Sequence, residues 1–226
     1  LTAPAVAQPL PGGPMTLSEL RALSASDGTA SAYFGYAVSV SGNVAAVGAY
    51  GAESGRGAVY LFAQNQGGAD QWQQVRKIGV IGGRPGDYFG FSVSLSGDTL
   101  AVGAPGDDAW GQDAGQVYVF SRNINGADGW GLLASVGSAD LSPGARLGHS
   151  VSLDVNLLVA GAPFAETGGA QTGAAYVFHR AHAPRDFGQV VRLAATDGAA
   201  GDRFGLAVSV SDGRVAVGAP LDDNTQ

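Results

Sequence analysis

The side chains with chemistry to offer are acids before anything else. Asp107-Asp108 with Asp113 follow one Gly-Ala-Pro, Asp222-Asp223-Asn224 follow another, and Asp87 and Asp202 each stand two residues before a Phe-Gly pair. Crowded carboxylates raise one another's pKa unless something neutralises them, and short acids in turns also accept hydrogen bonds from local N–H groups. The stretch GDDAWGQD, 106–113, sets Trp110 among these acids. An exposed indole beside carboxylates suits stacking on a sugar ring or anchoring a protein partner, so Trp110 is the candidate binding residue.

Catalytic patterns are thin by comparison. His149, His179 and His182 fall in no Ser-His-Asp arrangement that sequence can support. His179 and His182 come directly after the strand residues Tyr176-Val177-Phe178, so this HxxH opens a loop and does not occupy one helix face as a zinc pair would. Gly148-His149-Ser150-Val151-Ser152 lacks the second glycine of a nucleophile elbow. There is no Gly-Lys-Ser/Thr phosphate loop, and the single lysine, Lys77, sits in a strand pattern. Paired carboxylates for glycoside hydrolysis need a separation of about 5 to 10 Å, a tertiary property that sequence leaves open. The expectation is a protein that is not an enzyme.

The elements that must position these residues are copies of one unit. FGFSVSLSGDTLAVGAPGDDAWGQDAGQVYVF begins at Phe89, and related stretches begin at Phe34, Leu147 and Phe204, spaced by 55, 58 and 57 residues. Leu23, Ile78, Val136 and Leu193 keep the same phase, each 11 residues ahead of its Phe-Gly or Leu-Gly pair. A steady period of this length is the signature of a repeat architecture. Within the second copy, Phe91, Val93 and Leu95 alternate with Ser92, Ser94 and Ser96, which predicts a strand with one apolar and one hydroxyl face. Gly97-Asp98 is a tight turn, and Leu100-Ala101-Val102-Gly103 reads as a strand covered on both faces. Pro105 ends it, because proline cannot donate to a ladder. Gln116 to Phe120 is a third strand and Trp130 opens a fourth, with Trp72 and Phe187 as counterparts.

Four-stranded units at this period, rich in glycine, describe the blades of a β-propeller. Phe-Gly, an alternating run and then Gly-Ala-Pro resembles the FG-GAP repeat, the unit of the propeller in integrin α-subunit heads and in many bacterial secreted proteins. The motif stands at Phe34-Gly35, Phe89-Gly90 and Phe204-Gly205, softened to Leu147-Gly148; Gly-Ala-Pro stands at 103–105, 161–163 and 218–220, with Gly48-Ala49-Tyr50 departing from it. The resemblance covers roughly residues 17 to 226. It implies an all-β propeller of four-stranded antiparallel blades, about four of them in this chain, in a family whose rings commonly hold seven. It also implies Ca2+ in Asp-rich loops. The family's Asp-x-Asp-x-Asp-Gly spacing is missing here, so the candidate metal ligands are Asp107, Asp108 and Asp113 or Asp222 and Asp223, with single acids, Glu53 and Glu166, in the other copies.

Composition narrows the partners. The formal charge is −7, from 16 Asp and 3 Glu against 11 Arg and one Lys, which makes nucleic acid a poor partner because phosphate binding needs clustered positive charge. Cysteine is absent, excluding disulfides and thiolate metal sites. No apolar run approaches the roughly 18 to 20 residues that span a bilayer. The 37 glycines fall at fixed places in each copy, as turn-rich β structure requires. Residues 1–16 carry four prolines and no charge, reading as an arm outside any central sheet, and 17–23 reads as a strand. The fourth copy stops before a third strand, so two expectations stand together. Either the arm and 17–23 close a four-bladed ring, or the blades belong to a larger ring completed by further chain. The function expected is a non-catalytic extracellular or envelope module for protein or glycan recognition, adhesion or scaffolding. The alternative is an accessory propeller of an enzyme, or a structural subunit of a larger assembly.

Overall fold

Each copy folds as the alternation predicts, into short strands that zigzag outward from an innermost one. The computed structural model describes residues 22–66, 68, 71–180 and 187–223; the arm at 1–16 and nearly all of the strand expected at 17–23 lie outside them. The first blade is an antiparallel sheet of β1 (Ala37–Ser41), β2 (Val44–Ala49), β3 (Ala58–Gln64) and β4 (Trp72–Ile78) in that order. The second is β5 (Ser92–Ser96), β6 (Thr99–Ala104), β7 (Gln116–Ser121) and β8 (Gly131–Val136). The third begins with β9 (Ser150–Asp154) and β10 (Leu157–Ala162), followed by a small loop hairpin of β11 (Glu166–Thr167) and β12 (Ala170–Gln171). It is completed by β13 (Ala174–Arg180) and β14 (Phe187–Leu193). In the fourth copy, β15 (Ala207–Ser211) pairs with β16 (Arg214–Gly218).

Packing follows from which faces are covered. Every residue of β2 and of β6 is buried: blades stand on both sides of β6, while β2 has the second blade on one face and Leu23, Ala32 and Phe34 on the other. One apolar cluster joins Val44, Val59 and Leu61 of the first blade to Val93, Leu95 and Val102 of the second. Another joins Val117, Val119 and Leu133 to Leu153, Leu158 and Tyr176, and a third joins Val159 and Val177 to Val208, Val210 and Val215. The chain is therefore a row of interfaces, each made by neighbouring copies.

The serine faces of the inner strands have a specific task. An innermost strand is a sheet edge, so alternate N–H groups point away from its own blade and need acceptors. Ser39 and Ser41 Oγ accept from the N–H groups of Leu95 and Gly97 at 2.9 and 3.0 Å. Ser94 and Ser96 accept from Leu153 and Val155, both at 3.0 Å. Ser152 Oγ and Asp154 Oδ2 accept from Val210 and Asp212 at 3.0 and 2.7 Å. Replacing Ser94 with alanine leaves the Leu153 N–H without this acceptor, and the expected loss is about 1 kcal/mol of unfolding free energy. Urea denaturation of Ser94→Ala measures it; an unchanged midpoint at constant slope would remove the latch from the energetics.

Candidate functional site

The Phe-Gly pair forms the middle of a four-residue turn repeated in every copy. The N–H of Tyr36 donates to the carbonyl of Tyr33, Phe91 to Tyr88, His149 to Arg146 and Leu206 to Arg203, at 3.0–3.1 Å. The glycine occupies the third place with positive φ, +86° at Gly90, the torsion a type II turn demands there. Its N–H is used as well: Gly35, Gly90, Gly148 and Gly205 donate to the carbonyls of Gly48, Gly103, Gly161 and Gly218. Phe-Gly is thereby tied to the glycine of Gly-Ala-Pro within each copy.

The residue that opens each turn is the more informative one. Tyr33, Tyr88, Arg146 and Arg203 all adopt left-handed backbone, φ 53°, 56°, 59° and 60°. Bulky side chains seldom sit there, and the conformation costs roughly 1–2 kcal/mol per residue. Two tyrosines and two arginines are thus held at one end of the blades at an energetic cost. Around the first two, the aromatic rings converge. Tyr50 takes the place of the proline in Gly-Ala-Pro; it stacks on Tyr33 with centroids 4.8 Å apart and meets Tyr36 edge-on at 4.6 Å. Tyr88 and Phe91 lie 5.8 and 5.4 Å from Tyr50, and Phe91 lies 4.9 Å from His149. Burial raises the Tyr50 phenol above its ordinary value, and Tyr33, Tyr36 and Tyr88 add to the effect. Tyr33, Tyr50, Tyr88 and Phe91, with Asp113, Arg146 and His149, line a cleft of about 510 Å3, within the range of about 300–1,000 Å3 typical of small-ligand sites.

The FG-GAP repeat family matches residues 17–62, 72–120, 130–178 and 187–226. The chain belongs to the FG-GAP repeat family. No curated protein is similar enough to count as a relative. A crystal structure of Saccharomyces cerevisiae Sqt1 is similar over 73% of this chain and 36% of that one, at 12% identity and a TM-score of 0.44. This FG-GAP chain therefore spans about a third of that structure.

The acids of this FG-GAP protein separate differently from the sequence expectation. Asp113 does not join Asp107 and Asp108 around one point: its N–H donates to Asp108 Oδ1 at 2.9 Å, while the residue itself lines the aromatic cleft. Asp107 is buried and committed, accepting from the Tyr118 hydroxyl at 2.6 Å and from Ala109 N–H at 2.8 Å. Asp87, Asp107 and Asp108 instead line a second cleft of about 260 Å3. Burial raises the Asp87 carboxyl, the Arg84 N–H opposes this, and Asp107 and Asp108 reinforce it. The counterpart in the fourth copy brings carboxylate oxygens of Asp202, Asp222 and Asp223 within 4.8 Å of one another. Asp202 is the member the sequence reading had not joined to the pair.

The first and third copies answer the same position with a cation of their own. There Asp87 and Asp107 are replaced by the buried alanines Ala32 and Ala52 or Ala145 and Ala165. Lys77 Nζ lies 2.7 Å from Asp27 and 2.8 Å from Glu53. Arg192 lies 3.4 Å from Asp140 and donates to the Glu166 carbonyl at 2.8 Å. In the second copy the equivalent of Lys77 and Arg192 is Ser135. Trp110 is partly exposed, but its indole fills the space above Gly137 just after β8. It therefore lies against the end of its own blade and is not among the residues that line the aromatic cleft.

Proposed function

We propose that this FG-GAP chain is a non-catalytic recognition module, extracellular or in the cell envelope, that holds a glycan or protein ligand at the aromatic end of its blades. The observation that carries the reading is the set of four large residues, Tyr33, Tyr88, Arg146 and Arg203, kept in left-handed turns where glycine would cost less. Strain of this kind clusters at binding and switch regions. No helix among the described residues is long and apolar enough to cross a membrane.

Tyr88→Gly tests the proposal without threatening the fold, since it removes the ring and relieves the left-handed torsion. On an array of neutral and acidic oligosaccharides, with immobilised extracellular proteins as a second panel, the variant is expected to lose at least tenfold in signal. Its thermal midpoint should be equal or higher. Full binding by a Tyr33→Gly, Tyr88→Gly double variant would overturn the assignment of the ligand to this end.

A second reading concerns calcium and is favoured by the convergence of Asp202, Asp222 and Asp223. Three carboxylate oxygens are the hard donors that Ca2+ takes, and the site sits where Lys77 and Arg192 supply positive charge in other copies. Those three residues would hold the ion, which would neutralise the loop. Melting in 1 to 10 mM calcium against chelator, a range of concentrations for which stabilisation follows mass action, is expected to raise the midpoint. Asp202→Asn should abolish the difference. Equal midpoints with and without calcium would leave these acids as turn chemistry.

A further inference from the structure

We infer that the aromatic cleft selects an acidic glycan, its sugar ring laid on the exposed tyrosines and its carboxylate or sulfate held by Arg146, which lines the cleft, with Arg203, which shares the Phe164 ring with it, as the neighbouring charge. The inference rests on the recognition reading above and names the ligand class of that site.

The two arginines form a prepared anion receptor. Their guanidinium carbons stand 5.2 and 4.7 Å from the centroid of one ring, that of Phe164, so two like charges are gathered on a single aromatic support. Neither makes an ion pair among the described residues, although the chain carries a net charge of −7. Planar guanidinium forks match carboxylate and sulfate-like oxyanions bidentately. An anion bound by either fork would offset the positive charge gathered at this ring.

The rest of the cleft asks for hydroxyl groups on a ring. Tyr33 and Tyr88 are 51% and 41% exposed, offering flat apolar faces of the kind pyranose rings stack against. One acceptor, the Asp113 carboxylate, stands beside them, and His149 also lines the cleft, its Nδ1 buried without a hydrogen-bond partner. Burial lowers the His149 pKa, the Leu206 backbone opposes this, and the charges of Arg146 and Arg203 lower it further. The imidazole is therefore neutral at pH 7. A sugar acid supplies all three complements at once, whereas an acidic peptide brings the anion without the ring and hydroxyls.

Isothermal titration with tetragalacturonate, its methyl ester, a heparin tetrasaccharide and a tetraglutamate peptide decides among the sources. Tetragalacturonate or the heparin fragment should bind, and the ester at least tenfold more weakly than its acid. Arg146→Gln and Arg203→Gln should each cut affinity for the acid at least tenfold while leaving thermal midpoints within error. Arg146→Lys, which keeps the charge and loses the fork, should recover only part. If ester and acid bind equally and Tyr88→Gly abolishes both, the acidic class falls while glycan recognition stands. Binding of the peptide in preference to the sugars, or of none of the four probes, overturns the inference outright. The oligosaccharide and protein arrays then judge the recognition reading on their own.

Discussion

Gly90→Val is expected to lower the unfolding free energy by roughly 3 kcal/mol or more, from strain and collision together. Gly90 holds φ at +86°, where a β-branched residue is a genuine outlier. A Cβ built there would lie 2.5 Å from the Ala58 carbonyl oxygen and 3.3 Å from the Ala49 nitrogen. Both neighbours are backbone in paired strands of the preceding blade, so neither can yield without breaking its ladder. Gly90→Ala should show the same sign with a smaller loss, because the Cβ collision and the torsion remain while the β-branch is gone. Urea unfolding read by tryptophan fluorescence measures both, and a valine variant that melts with wild type would contradict this account of the turn.

Phe89→Ala should cost about 3–5 kcal/mol, the usual toll of emptying a fully buried aromatic site. Phe89 has no exposed surface and meets Tyr118 and Phe120 edge-on at 5.6 and 5.9 Å. Its backbone belongs equally to the blade before, with its N–H on the Arg56 carbonyl at 3.1 Å. Phe204, only partly buried in its copy, provides the control: Phe204→Ala should lose clearly less. Equal losses at the two positions would mean that the ring's contacts with the third strand contribute little.

The turn glycines were legible because a repeated sequence reports its own constraints. Where four copies keep glycine after an aromatic or leucine, a shared torsion or close approach is the economical reading, and Gly90 and Gly205 show both. The blades were legible for the same reason, down to the serine alternation of β5. The cleft was not, because it is assembled across copies. Tyr33 and Tyr50 come from the first, Tyr88 and Phe91 from the second, and Arg146 and His149 from the third. The available signal was Tyr50 in place of proline, together with the large residues one place before each Phe-Gly or Leu-Gly pair. Asp113 was grouped with Asp107 and Asp108 by proximity along the chain, but the loop turns it toward the aromatic side. Trp110 looked available among acids, yet the bare backbone of Gly137 gives its ring a surface to lie on.

The serine latch between inner strands is written in one direction. In each of these six bonds the earlier copy supplies the side-chain oxygen and the later one the backbone N–H. A backbone donor is the same whatever residue carries it, and Leu95, Gly97, Val155 and Asp212 all serve. The acceptor is nearly as tolerant, since Asp154 stands in for serine at one junction. Each copy therefore has a socket and a plug that fit any sibling, so a duplicated or excised unit would meet its new neighbours with the bonds already in register. Copy number in such a chain is free to drift while the residues that open each turn, which differ from copy to copy, are rewritten one blade at a time.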